Sequence, residues 1–148
     1  MHERVRELLG RGQVLVYISP SASVRETVEI MDWHSVGSVL IMDERNKLCG
    51  IFTERDLVKR VVACHVDPDE TPISDVMTPD VVVVDAATPA DDVFELMNQR
   101  KCRHIPVADG DRILGVVSLR DLLRRDRTIK EMEISQMRTY FLDAGYPG

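Results

Sequence analysis

Hydrophobic positions in this 148-residue chain fall into short runs whose spacing alternates between two patterns. Residues 14–18 and 81–84 are continuous β-branched runs closed by Ser19-Pro20 and Asp85-Ala86, which predicts a buried strand ending in a turn. Each is followed by helical spacing: Val24, Val28 and Met31 in the first case, Ala90, Val93, Phe94 and Met97 in the second. Ser21 or Ser23, and Thr88 ahead of Pro89, are candidate N-caps for these helices. Strands are then expected over 38–42 and 104–108. The polar turns 43–47 and 109–112 return the chain into strands 48–52 and 113–117, making two hairpins. Residues 55–63 and 120–125 read as helices. So do the flanks 3–9, with Val5, Leu8 and Leu9, and 128–142, with Ile134, Met137 and Phe141. The flanks are expected to pack on the central part or on a second chain.

The two halves are one unit written twice. At a shift of 66, residues 23–31 fall on 89–97, and Val39, Ile41 and Asp43 fall on Ile105, Val107 and Asp109. The turn after Asp43 is one residue longer than the turn after Asp109. From there a shift of 65 lays Gly50-Ile51-Phe52-Thr53-Glu54-Arg55-Asp56-Leu57 on Gly115-Val116-Val117-Ser118-Leu119-Arg120-Asp121-Leu122. A polar linker broken by proline, 67–72, separates the copies. The expected organisation is an N-terminal helix over 1–12, copies over 13–66 and 71–127, and a C-terminal helix and tail over 128–148. A pseudo-two-fold axis should relate the copies.

The repeated junction carries the chemistry. Thr53 and Ser118 are placed to cap a helix, with Asp56 and Asp121 three residues on, in the first turn, and Arg55 and Arg120 between. A helix start with a hydroxyl and an arginine suits phosphate. A carboxylate beside it suits the two hydroxyls of a ribose. A single Thr/Ser-x-x-Asp is ordinarily just a capping box. Its recurrence at matching places, each time with the arginine, points to a nucleotide.

Gly-h-h-Thr/Ser-x-x-Asp (h apolar), following Arg103-His104-Ile105-Pro106-Val107, resembles the cystathionine-β-synthase (CBS) domain pattern, and so does Asp75-Val76-Met77-Thr78-Pro79. The resemblance covers roughly residues 14–125. It implies an α/β (α+β) fold: tandem CBS domains paired as a Bateman module, with small mixed sheets flanked by helices. It further implies binding of AMP, ADP or ATP, or alternatively S-adenosylmethionine or NAD, with no required cofactor and no catalysis. By the resemblance Asp56 and Asp121 hold ribose, while Thr53 with Arg55 and Ser118 with Arg120 face phosphate. Thr78 and the strand of Arg103, His104, Ile105 and Pro106 line the second adenine pocket. The first copy has Ser38-Val39-Leu40 where the second has His104-Ile105-Pro106, so the second site is expected to be the tighter. The implied role is a regulatory sensor that signals to a protein effector, with a structural dimerisation module carrying vestigial sites as the alternative. A homodimer is expected.

Composition narrows the field. The formal net charge of −6 argues against broad, charge-driven binding to nucleic acid. No apolar run approaches the roughly 20 residues of a membrane span, and residues 1–11 lack the apolar stretch of a signal peptide, so a cytoplasmic protein is expected. Cys49, Cys64 and Cys102 form no CxxC pair and, with His34 and His65, match no zinc spacing. They read as reduced thiols.

Overall fold

The computed structural model describes residues 3–10 and 14–124, which form two compact units. One is Val16–Val81. The other joins residues 3–10 and 14–15 to residues 82–124.

In the Val16–Val81 unit, β1 (Tyr17–Ile18) lies parallel to β2 (Ser38–Met42), and β2 is antiparallel to β3 (Leu48–Thr53). Between β1 and β2 runs α1 (Val24–His34). Ser23 accepts from the Glu26 amide and the Glu26 carboxylate accepts from the Ser23 amide, a reciprocal capping box. After β3 a short α2 (Glu54–Asp56) widens into a π-helical turn, Leu57–Val62, where the α-helix expected over 55–63 loosens to i→i+5 bonds such as Ala63 N–H to the Val58 carbonyl. Val24, Met31, Val39, Ile41, Phe52, Val61, Ile73 and Val76 fill the core.

The other unit repeats this with β4 (Val84–Asp85), α3 (Ala90–Arg100), β5 (His104–Asp109), β6 (Arg112–Ser118) and α4 (Leu119–Arg124), in sheet order β4-β5-β6. The duplication extends to backbone detail. Both long helices end on a non-glycine residue with positive φ, Ser35 and Lys101. Both hairpins shift register at the matching step, Ile41/Met42 and Val107/Ala108.

The chain crosses over between sequence repeat and spatial unit. The linker expected over 67–72, with the residues that follow it, packs back onto α1 and the turn before it: Val24 N–H bonds to the Thr71 carbonyl, Ile73 N–H to the Ala22 carbonyl, and Arg25 pairs with Asp69. Ile73 is fully buried. The N-terminal segment does the same for the second copy. Instead of the helix expected over 3–9 there is one 3₁₀ turn, Val5–Leu8: Glu7 N–H bonds to the Arg4 carbonyl and Leu9 N–H to the Arg6 carbonyl. The Glu3 carbonyl, which an α-helix would offer to Glu7, is taken from outside, and the free donors of Val5 and Arg6 go to the Thr88 and Ala86 carbonyls. Val5 is fully buried in the second core, with Leu8 and Leu9 packed beside it, so that apolar stripe is covered within the chain. The Glu3 carbonyl accepts from Ala90 N–H at the start of α3, taking the place of the expected Thr88 cap. The two first strands are shorter than the runs 14–18 and 81–84. The helix expected over 128–142 lies outside the described residues.

Gly50 is where the crossover needs a glycine. Ile51 and Thr78 exchange two backbone hydrogen bonds, of 3.0 and 2.8 Å, so the 77–78 segment lies directly against β3. A Cβ on Gly50 would stand 2.5 Å from Met77 Sδ and 2.8 Å from the Thr78 carbonyl oxygen. Gly50→Ala is therefore expected to cost about 1–3 kcal/mol in urea unfolding, as overpacking against backbone does. A cost within about 0.5 kcal/mol of zero would show that this contact is slack.

Candidate functional site

The two strand-to-helix junctions adopt the same geometry from the same residue types. In the first, Thr53 N–H donates to Asp56 Oδ2 at 3.0 Å and Asp56 N–H donates to Thr53 Oγ1 at 3.3 Å. In the second, Ser118 N–H donates to Asp121 Oδ2 at 2.8 Å and Asp121 N–H to Ser118 Oγ at 3.1 Å. Each aspartate thus commits one oxygen to a backbone amide and is held in a fixed orientation before any ligand arrives. A carboxylate has about four acceptor positions, so the second oxygen can serve another group.

What surrounds that second oxygen in the first copy is specific. Asp56 is buried, and its Oδ1 accepts from Thr78 Oγ1 at 3.3 Å and faces Arg60 Nε at 3.6 Å. Arg60 also donates to the Met77 carbonyl at 2.8 Å, clasping the crossover segment. The expected place for Thr78 was the second adenine pocket; its hydroxyl instead stands at the first copy's aspartate. The reason is the crossover, which brings the lead-in of copy two onto copy one. Arg60 was not among the expected site residues, although its i,i+4 spacing from Asp56 was a readable signal.

In the second copy the β5–β6 register places His104 opposite Ser118, where the first copy has Ser38 opposite Thr53. Hence His104, Ser118 and Asp121 converge at one junction. Ile105 and Pro106 are buried in the central strand of their sheet. Leu40 N–H donates to the Val16 carbonyl at 3.1 Å. Pro106, at the matching position, has no N–H to offer Val82. Arg103 Nε is buried without a hydrogen-bond partner among the described residues. Arg55 and Arg120 are exposed on the first turns of their helices.

Desolvation governs the charge of His104. Burial pushes its pKa down from 6.5 to about 4; the Asp121 carboxylate opposes that shift and Arg103 adds to it. His104 is therefore neutral near pH 7. Burial also pushes the Cys102 thiol up, keeping it protonated. The three cysteines are free, and no His/Cys/Asp/Glu group among the described residues is placed to hold a metal. An open concavity against α3 is lined by Asp91, Asp92 and Glu95 with Phe94 and Leu96, a lining that repels an anion. Among the described residues no helix is long and apolar enough to cross a membrane.

The family model of the CBS domain matches residues 5–63 and 73–127. Arabinose 5-phosphate isomerase KdsD of Yersinia pestis is 36% identical over 121 residues, which are 82% of this chain and only 37% of the isomerase. A 17.7 kDa protein of Acidianus ambivalens is 31% identical over 120 residues, 80% of this chain and 71% of that protein. Among solved structures, a CBS-domain-containing protein of Agrobacterium tumefaciens has a TM-score of 0.76 at 32% identity, covering 82% of this chain and 98% of that one. A CBS-domain protein of Pyrobaculum aerophilum, solved in complex with AMP, shares the fold with a TM-score of 0.74 at 24% identity, covering 93% and 99%.

The depressed His104 pKa has a consequence for stability. Above pH 6.5 the ring is neutral whether the chain is folded or not. Below 6.5 the unfolded chain takes up a proton that the folded chain refuses until about pH 4. Stability is thus lost as pH falls through that window, by at most about 3 kcal/mol. Urea unfolding at stepped pH should show a steeper loss for the wild type than for His104→Gln. Parallel curves would mean that His104 titrates normally.

Proposed function

The chain belongs to the CBS-domain family, as a tandem pair, and we propose that it is a regulatory module binding an adenine nucleotide (AMP, ADP or ATP) and signalling to a protein effector. The observation that carries this reading is the duplicated junction, in which a backbone amide orients each aspartate while an arginine stands one residue away. On this reading Asp121 takes the ribose hydroxyls, and Ser118 with Arg120 meets phosphate. Arg103 Nε, buried and without a hydrogen-bond partner among the described residues, adds a donor at the start of β5. His104, neutral and half-buried, and Pro106 form the base pocket. Because Pro106 has no N–H, the Val82 carbonyl is not claimed by β5, and an exocyclic amine of adenine is a fitting donor for it. Thr53, Arg55 and Asp56 form the matching set in the first copy. The AMP complex of the Pyrobaculum protein supports the choice of ligand class.

No catalysis is assigned. The resemblance to the isomerase covers 37% of that enzyme. One observation favours vestigial function at the first copy alone: the second oxygen of Asp56 is already taken. The module is placed in the cytoplasm and read as a homodimer. Trp33 is 84% exposed, and Val58 and Val62 one turn apart are 61% and 65% exposed, an apolar surface that a second copy would cover.

Asp121→Ala is expected to weaken AMP binding by about 1.5–3 kcal/mol in calorimetry, as for hydrogen bonds to a charged group, and to weaken 2′-deoxy-AMP binding much less. Equal losses would remove ribose from Asp121. Light scattering at tens of micromolar should give twice the chain mass; the mass of one chain would contradict the dimer.

A further inference from the structure

The two copies share a capping box, but among the described residues only the first carries a side chain placed to compete with a ligand for its aspartate. Thr78 Oγ1 donates to Asp56 Oδ1, the oxygen that the capping box leaves over, and Arg60 Nε faces the same atom. Arg60 then reaches the Met77 carbonyl, so the aspartate, the arginine and the 77–78 backbone form a closed loop of contacts. Two backbone bonds to Ile51 hold that backbone against β3, and Gly50 admits it. At the repeat shift of 66, the residue matching Thr78 is Gly12. Glycine has no hydroxyl, so the second copy lacks this competitor by composition. Arg125, the counterpart of Arg60 at a shift of 65, lies outside the described residues.

We propose that Thr78 is an internal latch on Asp56: its hydroxyl occupies the place of a ribose hydroxyl, so a nucleotide enters the first site only by displacing it. This rests on the nucleotide-binding reading of the junctions and adds to it the regulation of one of them. Exchange of one hydroxyl for another at the same carboxylate oxygen leaves the number of hydrogen bonds nearly unchanged, which makes the first site the weaker one. Displacement also frees the side-chain tether of the segment 77–81, which runs on at Val82 into the other unit. The first site is thereby the one whose filling changes the crossover. Thr78 is thus a determinant of which site is occupied first, not a ligand-binding group.

The test uses the full chain with AMP. Asp121→Asn silences the second site, and Thr78→Val is added to it, since valine keeps the shape and removes the hydroxyl. Calorimetry should show the first site tightening about tenfold on Thr78→Val, the worth of one hydrogen bond to a charged group. Unchanged affinity overturns the latch. Weaker binding also overturns it, and makes the hydroxyl a ligand contact. A second readout needs no ligand: amide exchange of residues 76–80 should quicken in Thr78→Val and, on the latch account, quicken likewise when AMP saturates the Asp121→Asn chain. If AMP, ADP and ATP all fail to bind the wild type, the functional reading fails by itself. The latch then stands or falls on whether ligand-free exchange quickens.

Discussion

Everything proposed for this chain depends on how an aspartate side chain is divided between the fold and the solvent. At both junctions a strand stops at a hydroxyl residue and a helix begins. The amide of that residue would be unpaired were it not for the carboxylate three positions on. One carboxylate oxygen closes the backbone, and the other is left over. The same reciprocal bond that starts the helix also fixes the direction in which the spare oxygen points. A site built in this way is pre-organised by ordinary helix capping, and a bound ribose need not order it.

The two copies diverge in what they place around that spare oxygen. The crossover of the chain brings Thr78 to Asp56 in the first copy, where Arg60, four residues on, faces the same oxygen. In the second, His104 stands across from the capping serine and Pro106 interrupts the donor pattern of the central strand. A proline in a central strand normally weakens a sheet by removing a ladder bond. Here the removal coincides with a half-buried neutral histidine and a buried arginine nitrogen without a partner among the described residues. Three local departures from packing rules at one junction are the mark of a site shaped for something other than stability. The first junction shows none of them: its polar atoms satisfy one another.

Much of this was legible in the residues. The shift of 66, falling to 65 after a turn, located both hairpins and both capping boxes, because short-range periodicity and capping chemistry are encoded within a few residues of one another. The capping box at Ser23 and the interior positions Val24, Met31, Val93 and Met97 follow from the same local rules. The crossover was not legible. The apolar spacing of residues 3–9 suits a helix, yet the Glu3 carbonyl and the donors of Val5 and Arg6 are engaged by residues 80 or more positions away, which no local pattern records. The neighbourhood of Thr78 and Asp56 was not legible for the same reason, since a lead-in to the second copy packs on the first. Nor does the helical spacing of 55–63 betray a π-turn, whose apolar positions differ little from those of an α-helix over six residues.

The most direct test of the central claim separates the structural half of each aspartate from its ligand half. In an Asp56→Asn, Asp121→Asn double variant, the remaining amide oxygen can still accept from Thr53 and Ser118. The amide nitrogen then points where the spare oxygen was and cannot accept a hydroxyl. Titration calorimetry with AMP should register binding to the wild type and a loss of at least tenfold in affinity for the double variant, whose ligand-free melting midpoint stays within a few degrees (about 1 kcal/mol or less). Wild-type affinity in the double variant would contradict the account, because the aspartates would then be capping residues and nothing more.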